Sequence, residues 1–542
     1  MTTLKNKTNI KVPFRGFRGV FILLFTFHFS LFTFASERPR LVVGIKIDGL
    51  QQNHINDLRN QFGSRGLRTV FDNGTALNQV HYNIVSTGNA ADVATIMTGT
   101  TPNFHGVAGN YFFNRRAGRE ESILYDPNEV GIGTSHRFSA HRLLASTVLD
   151  ELMMATGGRS QTHVVAIDPE TAIMMGGHTA RSVSWIDDVF TRWVTTGYYT
   201  SGLSRHADRM NVNGSFARIA DTRWTPLHSA NSYTWNFAGT NRSFSHQPNT
   251  RRERSASQTI LRTTPSANTL VTELAMTLIR EERLGRGRQT DMLMLQYTVR
   301  TPNEMFSAVR SMEKEDMYLR LDGEIRRLID RLDVDVGLEN TLIVVFGNNS
   351  STHTPLELGE NRISSGYFNA NRSMALLNTF LMALYGQERW VEGYSARNIF
   401  LNRRLIEERN INLQEMQRVV ADFMIEFEGI RTAYTASQIR NQPFSADRSA
   451  VNIRNSFHKL SGGDVVISLL PGWLEVDNQN NPVGEITSIN SQIPVFFYGW
   501  RIPRQQINSV HYITDIAPTL SRILSIPFPN ANIGNVIEAV VP

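Results

Sequence analysis

The chain has 542 residues, no cysteine and a formal net charge of +6 at pH 7. This length suits one large α/β domain with an insertion, or two or three smaller domains. The absence of cysteine excludes disulfides, thiolate chemistry and cysteine-based zinc sites. The charge does not indicate a nucleic-acid partner, because removing five basic residues near the N-terminus leaves about +1: Lys5, Lys7, Lys11, Arg15 and Arg18.

The N-terminus has the pattern of a signal peptide. The basic segment is followed by an apolar run over residues 19–34 and by Thr33-Phe34-Ala35, a small-x-small cleavage pattern. A membrane anchor is the alternative, but the run is shorter than the roughly 20 residues that a span needs. We therefore predict a signal peptide over residues 1–35, no membrane span after its removal, and a periplasmic or cell-surface protein. Without a cysteine, the protein is not a lipoprotein.

Apolar runs predict a mostly parallel sheet flanked by helices, an α/β fold. The first run, Leu41 to Ile47, is β-branched and ends at Asp48, which places a carboxylate at the edge where open α/β sheets bind ligands. Taken alone, Asp48 could equally cap a turn. Further strands are predicted at residues 163–167, 291–298, 341–346 and 464–473, and helices at 140–156, 270–282 and 315–332.

The segment from Ser86 to Asn110 has the clearest functional pattern. Asn89 is a residue type that favours the cap of a helix, and the alanine-rich segment after it is predicted to be a short helix. A loop rich in turn-forming residues follows. The segment resembles the nucleophile region of the alkaline phosphatase superfamily, in particular the bacterial zinc phosphatases and the nucleotide pyrophosphatase/phosphodiesterases. Aligning the motifs places the nucleophilic threonine at Asn89, whose amide cannot form a covalent phosphoryl intermediate. Asn110 matches an asparagine that donates to a phosphoryl oxygen, although a turn asparagine is the alternative.

The same resemblance implies two zinc ions held by three aspartates and three histidines. Asp48 is the only one of these six ligands that is retained. The other five positions carry neutral residues that are weak zinc ligands: Thr301, Met305, Asn348, Asn349 and Gln492. Since even the loss of a supporting partner weakens metal sites about 10- to 100-fold, we expect five ligand losses to abolish the site.

The phosphate-binding positions are also changed. The resemblance places Asp168 and Glu170 where phosphate monoesterases have a lysine and an arginine. At about 4 Å and an effective dielectric near 20, each change converts about 4 kcal/mol of attraction into a similar repulsion. A cap insertion is expected at roughly residues 111–255. Arginines between 205 and 254 could form a binding face there, although a solvated surface is the commoner explanation.

Three hypotheses follow for the function. The first is an exported, catalytically silent relative without a cofactor, which binds an envelope protein or an anionic ligand as a binding or scaffolding protein. The second is an active phosphoester hydrolase, a phosphatase or phosphodiesterase, with two zinc ions and a displaced site at Thr87, helped by Asp92 and His353. The third is a protein that retains a phosphorylated or sulfated ligand on the cap arginines without hydrolysing it.

Overall fold

A mixed sheet of eleven strands lies at the centre of the protein, seen in a computed structural model. The structure describes residues 38–187, 191–235, 243–248, 260–302, 310–348, 353–441, 448–483 and 492–542. The strands in chain order are β1 Leu41–Asp48, β2 Thr75–His81, β3 Tyr111–Asn114, β4 Arg119–Ser122, β5 Gly131–Ile132, β6 Thr162–Ala166, β7 Ser182–Ile186, β8 Trp193–Thr196, β9 Asp291–Thr298, β10 Thr341–Gly347, β11 Gly366–Asn369, β12 Val391–Ser395, β13 Asn398–Leu401, β14 Ile430–Thr435, β15 Val465–Leu469, β16 Trp473–Val476, β17 Gln492–Gly499, β18 Gln505–Ile507 and β19 His511–Tyr512.

The interior of this sheet is parallel and its borders are mixed. The strand order is β18-β2-β17-β10-β1-β9-β6-β7-β8-β5, with β19 beside β2. Strand β1 is parallel to both β9 and β10, and β6 is parallel to β9 and β7. Strand β17 runs antiparallel between β10 and β2, and β8 runs antiparallel to β7. The predicted α/β fold with a mostly parallel sheet is therefore confirmed.

Helices pack on the central sheet, and others belong to a second, smaller lobe built around a four-stranded sheet. In chain order they are α1 Gln52–Leu58, α2 Leu67–Asn73, α3 Asn89–Thr98, α4 Pro102–His105, α5 Val148–Ala155, α6 Pro169–Gly176, α7 Arg205–Val212, α8 Ser215–Ala220, α9 Pro265–Glu281, α10 Met312–Asp335, α11 Pro355–Glu360, α12 Ala370–Tyr385, α13 Arg403–Glu408, α14 Leu413–Ile425, α15 Ala436–Asn441, α16 Arg448–Ser456 and α17 Ile516–Leu524. Among the described residues, no helix combines the length and apolarity that a membrane span requires. The predicted signal peptide lies outside these residues and stays a prediction.

The two faces of β1 pack into different cores. Its odd-numbered residues, 41 to 47, lie in a core that includes side chains of α9 and α10. Val42, on the opposite face, belongs to a core that includes side chains of α3 and α6. Because side chains alternate along a strand, Lys46 and Asp48 point to the α3 and α6 side. This face carries the candidate site.

The smaller lobe has its own core. Strands β12, β13, β15 and β14 form a four-stranded sheet, and β11 pairs with β16 beside it. Apolar residues of α12 and α14 pack with that sheet in a separate hydrophobic cluster. The sequence predicted a strand over 464–473, of which residues 465–469 form β15, but it did not predict this second sheet.

The range 111–255, predicted to be a cap, is divided among several parts of the fold. Strands β3 and β4 form a hairpin, whereas β6 and β7 lie inside the central sheet. The helix predicted over 140–156 is shorter in the structure, where α5 begins at Val148 and ends at Ala155. Thr147 and Asp150 form a capping box there, in which the Thr147 hydroxyl accepts from the Asp150 backbone N–H at 3.1 Å.

Candidate functional site

A lysine ammonium is buried on the site face of the sheet. The side chain of Lys46 is 0 % exposed and forms an ion pair with the carboxylate of Asp48, two residues further along β1. The same ammonium donates to Asn89 Oδ1 at 3.2 Å and lies 3.5 Å from Thr171 Oγ1. A fixed positive charge thus lies among the residues that the resemblance assigns to metal and nucleophile.

Gln296 joins the two carboxylates of this site. It is the residue of β9 paired with Lys46 in register, and its Nε2 donates to Asp48 Oδ2 at 2.7 Å and to the carboxylate of Asp168. Its Oε1 accepts the backbone N–H groups of Ile167 at 2.8 Å and Asp168 at 3.0 Å. Both ends of the amide are therefore engaged, which fixes its orientation.

Asn89 is a second amide bridge in this network. Its Oδ1 accepts from the Lys46 ammonium, and its Nδ2 donates to Asp168 Oδ2 at 3.1 Å. Asp168 is also the N-cap of α6, where its Oδ1 accepts from the Thr171 backbone N–H at 2.8 Å. We call Lys46, Asp48, Asn89, Asp168 and Gln296 the Lys46 network.

The predicted capping role of Asn89 is wrong. Asn89 is the first residue of α3, and Gly88 occupies the cap position without a side-chain hydrogen bond. The Asn110 side chain satisfies the start of the helix instead, because its Oδ1 accepts from the Ala90 backbone N–H at 2.9 Å. Asn110 therefore has a structural role at the predicted substrate-binding position.

The electrostatics of the network favour a charged Asp48. Burial acts to raise the pKa of Asp48, but the charges of Lys46 and Arg300 and the hydrogen bonds from Lys46 and Gln296 outweigh burial. The pKa of this carboxyl accordingly lies below its usual range. Both Asp48 oxygens are occupied, one by an ammonium and the other by an amide.

Two other predicted ligand positions have different partners. Asn348 is buried at the end of β10, and its Oδ1 accepts from the Gly49 backbone N–H at 2.9 Å. It thus lies beside Asp48 but supports the backbone. Gln492 is exposed on β17, and its Nε2 lies 3.4 Å from His81 Nε2.

The remaining ligand positions add no strong zinc ligand. Thr301 is buried after β9. Met305 and Asn349 lie outside the described residues. Over the described ranges, no group of three or more His, Asp or Glu side chains is arranged to hold a metal ion. A zinc ion at Asp48 would compete with a buried ammonium for the same carboxylate, so the residues present do not fit the two zinc ions of the alternative hypothesis.

The residues of the proposed displaced site are bound to other partners. The Thr87 hydroxyl donates to the Ala108 carbonyl. Asp92 accepts hydroxyl hydrogen bonds from Tyr82 at 3.0 Å and Ser86 at 2.8 Å, and burial raises its pKa to about 6. His353 is exposed before α11. No hydrogen bond joins Thr87 to Asp92 in this arrangement.

Glu170 lines a cavity beside the network. This cavity of about 470 Å³ is also lined by Trp185, Arg262 and Glu121. Burial, and then the negative charge of Asp168, raise the pKa of Glu170 to about 7. The two acidic residues predicted at the phosphate-binding positions therefore have different surroundings in the structure. Asp168 joins the network, and Glu170 faces the cavity.

Two of the arginines in the predicted cap form surface ion pairs. Arg205 and Arg209 on α7 contact Glu282 and Glu281 at 3.4 and 3.3 Å. Both arginine side chains are more than half exposed, so these pairs contribute little to stability. The choice between a binding face and a solvated surface stays a prediction, because further arginines of the cap lie outside the described residues: Arg242, Arg251, Arg252 and Arg254.

The fold and the position of the site define an alkaline phosphatase-like protein. A crystal structure of wild-type alkaline phosphatase PafA superposes with a TM-score of 0.84 and 25% identity, covering 93% of this chain and 99% of that one. The chain belongs to the type I phosphodiesterase / nucleotide pyrophosphatase family, whose model matches residues 42–492.

Curated relatives match along nearly their whole length. Alkaline phosphatase PafA of Elizabethkingia meningoseptica is 25% identical over 94% of this chain and 96% of its own. Alkaline phosphatase PhoV of Synechococcus elongatus is 26% identical over 94% of each chain. A protein of Myroides odoratus named calcium-transporting ATPase is 25% identical over 97% of this chain and 100% of its own.

Sequence reasoning missed two members of the network, Lys46 and Gln296. Each is a polar residue within an otherwise apolar strand, Lys46 in LVVGIKID and Gln296 in DMLMLQYT. A buried lysine is rare unless it is paired, so this interruption was a usable signal. Their pairing across β1 and β9 required the strand register.

We predict that Lys46→Met destabilises the protein by about 3–5 kcal/mol, because it leaves Asp48 buried without its cation. The double variant Lys46→Met/Asp48→Asn should recover much of that loss, since no uncompensated charge remains. Chemical denaturation measures both. Arg404→Met, which breaks an exposed pair with Glu408, is the control and should have little effect. A Lys46→Met protein as stable as the parent would contradict the ion pair.

We predict that Glu170→Gln stabilises the protein at pH 8 but not at pH 4. A raised carboxyl pKa means that the folded state binds the proton more tightly. The associated stability is present below the unfolded pKa of about 4.3 and is lost as the pH rises to about 7. Thermal unfolding between pH 4 and 8 measures the difference between variant and parent.

Glu121→Gln is the matched control in the same cavity. The hydrogen bond from Asn114 and the charge of Arg119 lower the pKa of Glu121, so its charge stabilises the fold above pH 4. This variant should therefore lose stability at pH 8. A Glu170→Gln effect that is equal at pH 4 and pH 8 would contradict the raised pKa.

Proposed function

We propose that this chain is an exported, alkaline phosphatase-like protein that has lost metal-dependent hydrolysis and acts as a binding or scaffolding protein in the cell envelope. The observation that carries the proposal is the buried ion pair between Lys46 and Asp48. It pairs the retained metal-ligand position with an ammonium of the chain itself.

The chemistry of the superfamily needs a nucleophile and a means of activating it. Asn89 offers neither an ionisable oxygen nor a free amide, because both ends of its side chain are hydrogen bonded. Each Asp48 oxygen already accepts a hydrogen bond, one of them from an ammonium with which a metal ion would compete. The network therefore supports a stable polar core and not a reactive centre.

The anion-binding part of the site supports the same proposal. Asp168 and Glu170 stand where the resemblance expects two cations, so neither position offers a positive charge to a phosphate dianion. The Asn110 amide oxygen accepts at the start of α3, which leaves its Nδ2 group as a donor. The attack on a phosphoryl group lacks a nucleophile at position 89, and its binding lacks the two cations that the resemblance expects.

An active phosphoester hydrolase is the second candidate. Its support is the full-length similarity to proteins named alkaline phosphatases. This similarity establishes the fold and the family, but the same fold supports a reaction only when its site residues are present. Under this hypothesis Thr87 would be the nucleophile, which would require it to leave the Ala108 carbonyl.

We predict no turnover of an aryl phosphate, an aryl phosphodiester or an aryl sulfate between pH 7 and 10, with or without added zinc. Alkaline phosphatase PafA, assayed in parallel, is the positive control. Asn89→Thr alone should remain inactive, because a hydroxyl without a bound metal stays protonated near neutral pH. Release of nitrophenol from nitrophenyl esters measures each reaction. Zinc-dependent turnover that disappears in Thr87→Ala would establish the hydrolase instead.

A further inference from the structure

A second cavity lies against the β3–β4 hairpin, and three arginines are among its lining residues. Its volume is about 520 Å³, within the usual range of small-molecule sites. It shares no lining residue with the Lys46 network or with the cavity beside Glu170. We call it the arginine cavity, and its lining residues include Arg115, Arg116, Arg142, Phe112, Phe113, Phe400 and Leu460.

The lining carries positive charge and no carboxylate. Arg115 is already neutralised, because it contacts Asp464 at 2.7 Å and Glu392 at 3.0 Å behind the cavity. Arg116 is exposed and has no ion pair with a described carboxylate. The cavity therefore retains the guanidinium charge of Arg116, which pairs with no described carboxylate.

Arg142 is the main reason to expect an anion. Its guanidinium lies 4.0 Å from the ring centroid of Phe112, and its Nε is buried without a hydrogen-bond partner among the described residues. Burial lowers the pKa of Arg142, against the smaller opposing effects of Glu121 and Asp126. Since arginine stays charged in proteins, an anion in the cavity would compensate for this burial.

The two histidines of the cavity add little charge at neutral pH. Burial lowers the pKa of His458, and it lowers that of His141 despite the opposing charge of Asp126. His458 Nδ1 also lies 2.8 Å from Ser461 Oγ. Any anion that binds would therefore interact chiefly with the arginines.

Apolar groups line the rest of the cavity. Phe113 and Phe400 lie 4.8 Å apart, centroid to centroid. Leu144 and Leu460 extend the apolar surface at the rim and are 57% and 81% exposed. A ligand that satisfies this lining needs an apolar body beside its negative charge.

We propose that the arginine cavity binds a small organic anion, a carboxylate or phosphate attached to an aromatic or acyl group. The anionic group pairs with Arg142 and Arg116, and the apolar group packs against the phenylalanines and Leu460. This site does not depend on whether the Lys46 network supports catalysis, and so it goes beyond the proposed function.

Isothermal titration with matched naphthalene probes tests the ligand class. We expect 2-naphthoate or 2-naphthyl phosphate to bind, and the difference between them identifies the preferred anionic group. Neutral 2-naphthylmethanol should bind at least about tenfold more weakly, and 2-naphthylmethylammonium and acetate should not bind measurably. Equal binding of the anionic and cationic naphthalenes, or no binding of either anion, would overturn the proposal.

A pair of substitutions at the exposed rim tests the location. Leu460→Glu and Leu460→Lys lose the same leucine and differ only in charge, and neither should affect folding at a position 81% exposed. Leu460→Glu should bind the anion at least about fivefold more weakly than Leu460→Lys. Leu376→Glu, at an exposed leucine of α12, is the control and should bind as the parent does.

Arg142→Gln tests the central contact, with circular dichroism to verify folding. It should weaken anion binding about tenfold or more. If Arg142→Gln does not fold, the rim pair alone decides. Affinity that is unchanged between Leu460→Glu and Leu460→Lys would place the anion elsewhere and overturn the proposal.

Discussion

The buried charge of Lys46 constrains the rest of the site. A cation at the centre of a sheet loses its hydration, a penalty of several kcal/mol that only a close anion and well-placed hydrogen bonds offset. Asp48 supplies the anion, and the amides of Asn89 and Gln296 connect this pair to Asp168 at the start of α6. The ion pair therefore couples β1, β9, α3 and α6, the four elements around the site.

This coupling balances the charge of Asp48 within an alkaline phosphatase-like fold. The resemblance to the alkaline phosphatase superfamily implies bound metal ions that balance the carboxylates at the end of the sheet. Here an ammonium of the chain balances Asp48, and neutral side chains such as Asn348 occupy neighbouring ligand positions. The similarity to alkaline phosphatases extends over nearly the full length, but it establishes an architecture whose chemistry depends on these few positions.

The sequence predicted the parallel interior of the fold because buried parallel strands are continuous apolar runs, as in β1, β9 and β10. Motif alignment also identified Asn89 and Asp168, which the structure joins by a hydrogen bond. The role of Asn110 at the start of α3 could not be predicted, since it depends on a contact between segments 20 residues apart. The arginine cavity likewise forms only when the hairpin meets segments distant in sequence.

Thermal unfolding with and without a strong chelator, and with excess zinc, tests most directly whether Lys46 has replaced the metal. A site balanced by its own ammonium predicts the same unfolding midpoint in all three conditions, because zinc finds no preferred position in the folded state. A saturable rise with zinc would contradict this, since a ligand at 100 times its Kd stabilises the folded state by about 2.7 kcal/mol. Such a rise, reversed by the chelator, would show that the folded chain still binds the metal.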